Sequence, residues 1–299
     1  MPSSPSSPAL CLLRPLRSLR TLWWAWLLLA ALTGCARLQP LPPAAHAGAD
    51  AAWHAQLERW PRPDALLLGE QHDASAHQRW EADTVRWLAT RGRLAALVLE
   101  MAEAGTRTDG LPADAGADQV RAALRWNEAA WPWERYREVV MAAVAAGVPV
   151  RGGNLPRAQM RAAMQDASLD GHLPPQALAL QREAIAEGHC HLLPPERLMP
   201  MVRIQLARDA SMARALLEAR TPGRTVLLAA GWGHVRRDLG VPTWLPRDFE
   251  SKVAIAQAGQ ALAAIKTEAD YIHLTPALEP HDHCAELRAR PPGAAPARP

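Results

Sequence analysis

Six short apolar runs, each continuous rather than alternating, constrain this chain more than any other feature. They are Ala65–Leu68, Ala95–Leu99, Val148–Arg151, Thr225–Ala230, Lys252–Gln257 and Tyr271–Leu274. Gly, Pro or charge bounds each run, so they read as strands. A strand apolar on both faces is buried on both faces, and that is the signature of a parallel sheet covered by helices. Between the runs lie longer stretches with helix signals. Ser75 can cap a helix to about Arg91, with Trp80, Thr84 and Trp87 on one face. Pro132 suits the first turn of a helix to about Ala146 that Gly147 ends, and Pro194 or Pro195 opens one to about Ala219. The alternation predicts an α/β fold: a central, largely parallel sheet flanked by helices in a three-layer sandwich.

The net charge of +3 misleads until its position is considered. Arg14, Arg17 and Arg20 precede an apolar run from Leu22 to Leu32, and no acid lies before residue 35. That run is shorter than the ~20 residues a membrane-spanning helix needs. A basic stretch, a short apolar run and Leu32-Thr33-Gly34-Cys35 fit a lipoprotein signal peptide with Cys35 as the lipidated residue. The expected organisation is a signal peptide over 1–34, a lipid-anchored flexible tether over 35–50, a single α/β domain over 51–287 and a disordered tail over 288–299. The location this implies is the cell envelope, facing the periplasm or the surface from the outer membrane if the source is Gram-negative, since Ala36 rather than Asp follows Cys35. Without residues 1–34 the chain carries 30 basic and 30 acidic groups. That balance removes the electrostatic case for nucleic acid. Cys190 and Cys284 remain in a compartment that permits disulfides, but spacing alone leaves open whether they pair.

Two matching motifs end in histidine at strand ends. Leu68-Gly69-Glu70-Gln71-His72 and Ala230-Gly231-Trp232-Gly233-His234 each read strand, Gly, two residues, His. The glycine is expected to let the chain turn sharply off the sheet. A third strand ends in Leu99-Glu100. If these strands are neighbours, Glu70, His72, Glu100 and His234 share one rim. Such a set could bind a divalent metal or pair carboxylate with imidazole for acid–base work. Trp133, Tyr136, Val140 and Val144 share one helical face. Tyr136 there is either a core residue or, as tyrosine is a known haem-iron ligand type, a candidate ligand. His189-Cys190-His191 and His281-Asp282-His283 are two further histidine groups, the second expected at the surface.

Leu68-Gly69-Glu70-Gln71-His72-Asp73, Leu99-Glu100-Met101, Trp133-Glu134-Arg135-Tyr136, Gly188-His189-Cys190 and Gly231-Trp232-Gly233-His234-Val235-Arg236 occur in an order and spacing that resemble the ChaN family of haem-binding lipoproteins. So do Val148 to Arg157 and Met201 to Ala213, and the likeness spans about residues 60–285. The resemblance implies haem as cofactor, a role in haem or iron uptake, and a homodimer with haem at its interface. It implies that a tyrosine of one subunit meets the iron while a histidine of the other supports the haem. Carried onto this sequence, those residues are Tyr136 and His189. The wider superfamily includes TIKI-type metalloproteases and erythromycin-esterase-like proteins, which implies an alternative: a metal-dependent hydrolase using Glu70, His72, Glu100 and His234. A non-catalytic envelope adaptor is a third reading, so enzymatic activity stays open, with a binding protein preferred.

Overall fold

The structure is a computed structural model, and it describes residues 43–289. Helix α1 (Pro43–Arg59) leads into β1 (Ala65–Glu70), α2 (Ser75–Thr90) and β2 (Leu94–Glu103). There follow α3 (Ala117–Ala123), α4 (Trp133–Ala145) and β3 (Val150–Asn154), then α5 (Met160–Gln165), α6 (Pro175–Gly188) and the long α7 (Pro195–Ala219). The chain closes with β4 (Thr225–Gly231), α8 (Trp232–Val235), β5 (Ser251–Ala258), α9 (Ala263–Lys266), β6 (Tyr271–Thr275) and α10 (His283–Ala289). All six expected strands are present; five are extended by one to five residues, and the third begins two residues later than expected, at Val150, and runs on to Asn154. The stretch expected to be a signal peptide and Cys35 lie outside the described residues, as do residues 290–299. Of the stretch read as a tether, residues 43–50 form the Ala-rich start of α1, a composition that favours helix.

The six strands form one sheet in the order β3-β2-β4-β1-β5-β6, every pair parallel. Side chains of a strand alternate between faces. Leu66 and Leu68 point into a core with Trp53, Trp80, Trp87 and Tyr136 from α1, α2 and α4. Ala65 and Leu67 point into the opposite core with Met212 and Leu216 of α7. Both faces are therefore covered, and the uninterrupted apolar runs follow from that. Each buried leucine contributes about 2 kcal/mol. Two helix starts differ from the sequence reading. The residue flanking α2 is Ala74, with no side-chain cap, and Ser75 is the first helical residue. Its hydroxyl instead accepts from Arg79 Nη1. Pro132 caps α4 from outside its first turn.

Among the described residues no helix is long and apolar enough to cross a membrane. Cys190, just after α6, is disulfide-bonded to Cys284 of α10, with the two Cα atoms 5.5 Å apart.

Candidate functional site at the sheet rim

Strand order puts the three polar strand ends side by side. β4 lies between β2 and β1, with Leu99 opposite Ala229 and Glu70 opposite Gly231. The C-terminal rim of a parallel sheet is where α/β folds place ligands. The structure brings Glu70, His72, Glu100, His234 and Tyr136 together there. Glu70 Oε1 lies 2.7 Å from His72 Nδ1 and accepts the Tyr136 hydroxyl at 2.8 Å. Glu70 Oε2 accepts from the Gln78 side-chain amide. On the far side, His234 Nδ1 lies 2.5 Å from Asp209 Oδ1, and its Nε2 3.3 Å from Glu100 Oε1. Glu100 Oε2 accepts the Gly231 backbone N–H at 2.8 Å and stands 3.8 Å from His72 Nε2. A polar chain thus crosses the rim from α4 to α7.

The two motif glycines are needed for closeness rather than for an unusual turn. Gly69 lies inside β1, and Gly231 has φ −55°, a value open to any residue. A Cβ on Gly69 would stand 2.9 Å from the Trp232 Cα and 2.5 Å from Val235 Cγ2. A Cβ on Gly231 would stand 2.9 Å from His72 Nε2. Each motif's glycine makes room for the other motif.

Burial and charge act against each other on these groups. Burial disfavours a charge on His234, but Glu100 and Asp209 outweigh it and lift the imidazole to about 10. Burial likewise works against the Glu100 carboxylate, yet His234 and His72 hold it well below the usual range. His72 is raised because Glu100 and Glu70 overcome its burial. Burial pushes Asp209 up to about 6, only partly offset by His234. Burial also drives Glu81 on α2 well above an ordinary carboxylate, helped by Glu70 and Glu100. Neither Glu81 oxygen, nor Asp209 Oδ2, has a hydrogen-bond partner among the described residues. A protonated Glu81 fits that setting. Solvent reaches the rim through His72, whose side chain is 21% exposed. Trp131 packs edge-on to it, with ring centroids 4.9 Å apart.

The expected metal site at Glu70, His72, Glu100 and His234 finds no support in this arrangement. Among the described residues no group of three or more His, Cys, Asp or Glu side chains could hold a metal ion. At the rim, carboxylates and imidazoles are spent on one another, which leaves no set of lone pairs aimed at a common point.

Tyr136 is fully buried, beneath Trp126 and Trp131. Burial, then Glu70, raise its phenol far above the ordinary value. A tyrosine binds haem iron through its oxygen, and this oxygen is turned inward onto Glu70. In this structure that hydroxyl donates to Glu70. His189 does not share the rim network. It follows α6, half-buried, with Nδ1 2.8 Å from the Ile185 carbonyl oxygen and Nε2 left as the other ring nitrogen. Leu180 and Leu192, flanking it in sequence, are 53% and 50% exposed. His77 is structural: Nδ1 accepts the Gln71 N–H and Nε2 meets Thr275 Oγ1 at 3.0 Å.

Asp209, Gln78, Glu81 and Trp131 were not read from the sequence as part of the site. Asp209 had a visible signal, as an acid within the apolar stripe Leu206, Met212, Ala213, Leu216 of α7.

Compared with known families, the chain matches the model described as haem-binding uptake, Tiki superfamily, ChaN over residues 56–245. The chain belongs to this ChaN family. Its fold is similar to a solved structure of ChaN from Campylobacter jejuni, described as showing cofacial heme binding. The two share 22% identity with a TM-score of 0.59, over 74% of this chain and 90% of the other. No curated protein matches the chain. The match to the ChaN model runs from α1 to just beyond the second rim motif, and so takes in every residue of the polar chain. His189 also lies within it.

Proposed function

We propose that this protein binds haem, as a lipid-anchored envelope protein in haem or iron uptake that works as a homodimer. Membership of the ChaN family is the observation that carries this reading. The chain's own residues test the fit unevenly. His189 suits an iron ligand: its Nδ1–H···O=C bond to Ile185 fixes the tautomer and leaves Nε2 with a free lone pair. Exposed Leu180 and Leu192 offer apolar surface for a macrocycle, and exposed Arg182 and Arg197 offer cations for propionates. Tyr136 does not suit it while bonded to Glu70, so we assign Tyr136 to positioning Glu70 and His72 and give the iron contact to His189. Bound haem would supply the iron centre, and the protein's part is to present the imidazole and cover the flat face.

A haemin titration tests this. A shifted Soret band at micromolar haemin is expected, changed in position and weakened in His189→Ala and retained in Tyr136→Phe. Absence of a shift in the wild-type chain overturns haem binding. Loss of the band in Tyr136→Phe with an unchanged His189→Ala returns the ligand role to Tyr136.

One observation favours a second reading, acid–base hydrolysis at the rim without a metal: the Glu70–His72 pair is buried on one side and open to solvent on the other. Turnover of an activated ester that is lost in His72→Ala would support it, and equal turnover in the two proteins would remove it.

A further inference from the structure

The end of α6 is closed by a cysteine where the backbone favours glycine. His189 caps the helix, and the next two amides turn back into it. The Cys190 N–H donates to the Glu187 carbonyl oxygen at 2.8 Å, and the His191 N–H to that of Ala186 at 2.7 Å. This pair of bonds needs left-handed backbone just past the cap, a place that glycine usually takes. Here Cys190 and His191 take it, with φ 56° and 54°. Strain of that kind persists only where the surroundings over-determine it. Cys190 is buried and bonded to Cys284 of α10, a helix that buries none of its own residues. The crosslink is the restraint that holds Cys190 in this cap.

The same turn holds the His189 imidazole. Its Nδ1 lies 2.8 Å from the Ile185 carbonyl oxygen, and the His189 backbone N–H donates to that oxygen at 3.2 Å. When the last turn frays, this oxygen and the ring part, and the tautomer that leaves Nε2 with a lone pair is no longer fixed. A line of bonds therefore runs from Cys284 through Cys190 and the helix cap to His189.

We propose that the Cys190–Cys284 bond is a redox switch on haem capture: the oxidised protein holds His189 ready for iron, and reduction by a dithiol frays the end of α6 and weakens the hold on haem. The proposal rests on the assignment of the iron contact to His189 and adds a control to it. One thiolate of the reductant attacks a sulfur of the bond, and its second thiolate displaces the mixed disulfide. Two electrons pass to the protein. The reductant's two protons end on the Cys190 and Cys284 thiols, and the reductant is left as its own disulfide.

Haemin titration of the full-length, haem-free chain tests this, oxidised and after treatment with a phosphine that is then removed under argon. Haemin affinity should fall at least tenfold on reduction and return on reoxidation, and His189→Ala should show no such dependence. In the haem-free protein, hydrogen exchange at the Cys190 and His191 amides should quicken at least tenfold on reduction. Cys190→Gly/Cys284→Ser separates the cap from the bond. Glycine takes left-handed backbone without strain, so this variant should keep the oxidised affinity with or without reductant. Cys190→Ser/Cys284→Ser should bind haemin as the reduced wild type does. Chemical reduction of the wild type decides the matter even if either variant fails to fold. Affinities within twofold in the two redox states, or a glycine variant as weak as the serine pair, overturn the switch. So does a reduced protein that binds haemin more tightly with a thiolate-type Soret band. A wild type with no Soret shift when oxidised fails as a haem protein, and the switch fails with it. A shift indifferent to redox state fails the switch alone.

Discussion

At the scale of single residues, the rim glycines are the most exacting positions in the site. Gly231→Ala would press a methyl onto the His72 ring, and Gly69→Ala would press one onto the Trp232 backbone. Overpacking of this kind costs about 1–3 kcal/mol. Urea denaturation should show both variants destabilised by that order, Gly69→Ala more, since backbone yields less than a side chain. Buried histidines set the pH response. Burial pushes His77 and His273 down to about 4; His273 adds to the effect on His77, and Asp83 works against it on His273. The unfolded chain, with histidines near 6.5, therefore binds more protons below that pH. Stability from these two groups is present above about 6.5 and is lost as the pH falls toward about 4. His234 has the opposite sign. Raised to about 10 in the fold, it contributes fully below about 6.5 and its contribution disappears as the pH climbs through 10. The urea midpoint should fall from pH 7 to pH 5, and His273→Phe, which keeps the stacking on Trp80, should flatten that fall. A midpoint equally steep in the variant would exclude His273 as a cause.

At the scale of elements, α7 ties the rim to the far layer through Asp209 and Gln205, both of which reach His234. Breaking a buried ion pair from one side costs about 3–5 kcal/mol. Asp209→Asn should approach that loss in thermal unfolding, because it leaves His234 charged against Glu100 alone. A loss below about 1 kcal/mol would mean that the pair is weakly coupled. The strands were legible in the sequence because each is apolar on both faces, and a continuous run has no other economical fate in a chain of this length. α2, α4 and α7 were legible through their amphipathic faces and through Gly147 and Pro195. The placing of Glu70, His72, Glu100 and His234 on one rim rested on strand adjacency, which no local pattern encodes: β4 pairs with both β1 and β2 across more than a hundred residues of chain. Asp209 and Glu81 were hidden for a related reason. Each sits on its own helix at a position that only the neighbouring strand ends make polar. Tyr136 illustrates the limit from the other side. Its helical face left core and ligand both open, and nothing local could reveal that Glu70 would take its hydroxyl.

At the scale of the whole molecule, the crosslink divides the chain into a packed body and an appended end. α10 buries none of its residues, so the Cys190–Cys284 bond supplies its main attachment to the body. Reduction should therefore release the segment after Thr275 before the sheet unfolds. Limited proteolysis with and without a phosphine reductant, followed by mass spectrometry, should show cleavage between residues 276 and 289 only in the reduced sample, with the rest intact. Equal cleavage in both states would mean that the end is already detached in the oxidised protein.

The mutual fit of Gly69 with Trp232 and of Gly231 with His72 has a consequence for how the protein is made. These partners are separated by about 160 residues. Synthesis must deliver nearly the entire domain before the first half of the rim meets the second. A chain stopped short of β4 would carry Glu70 and His72 with no wall behind them. The rim thereby reports on completeness: only a chain translated through residue 235 can close it.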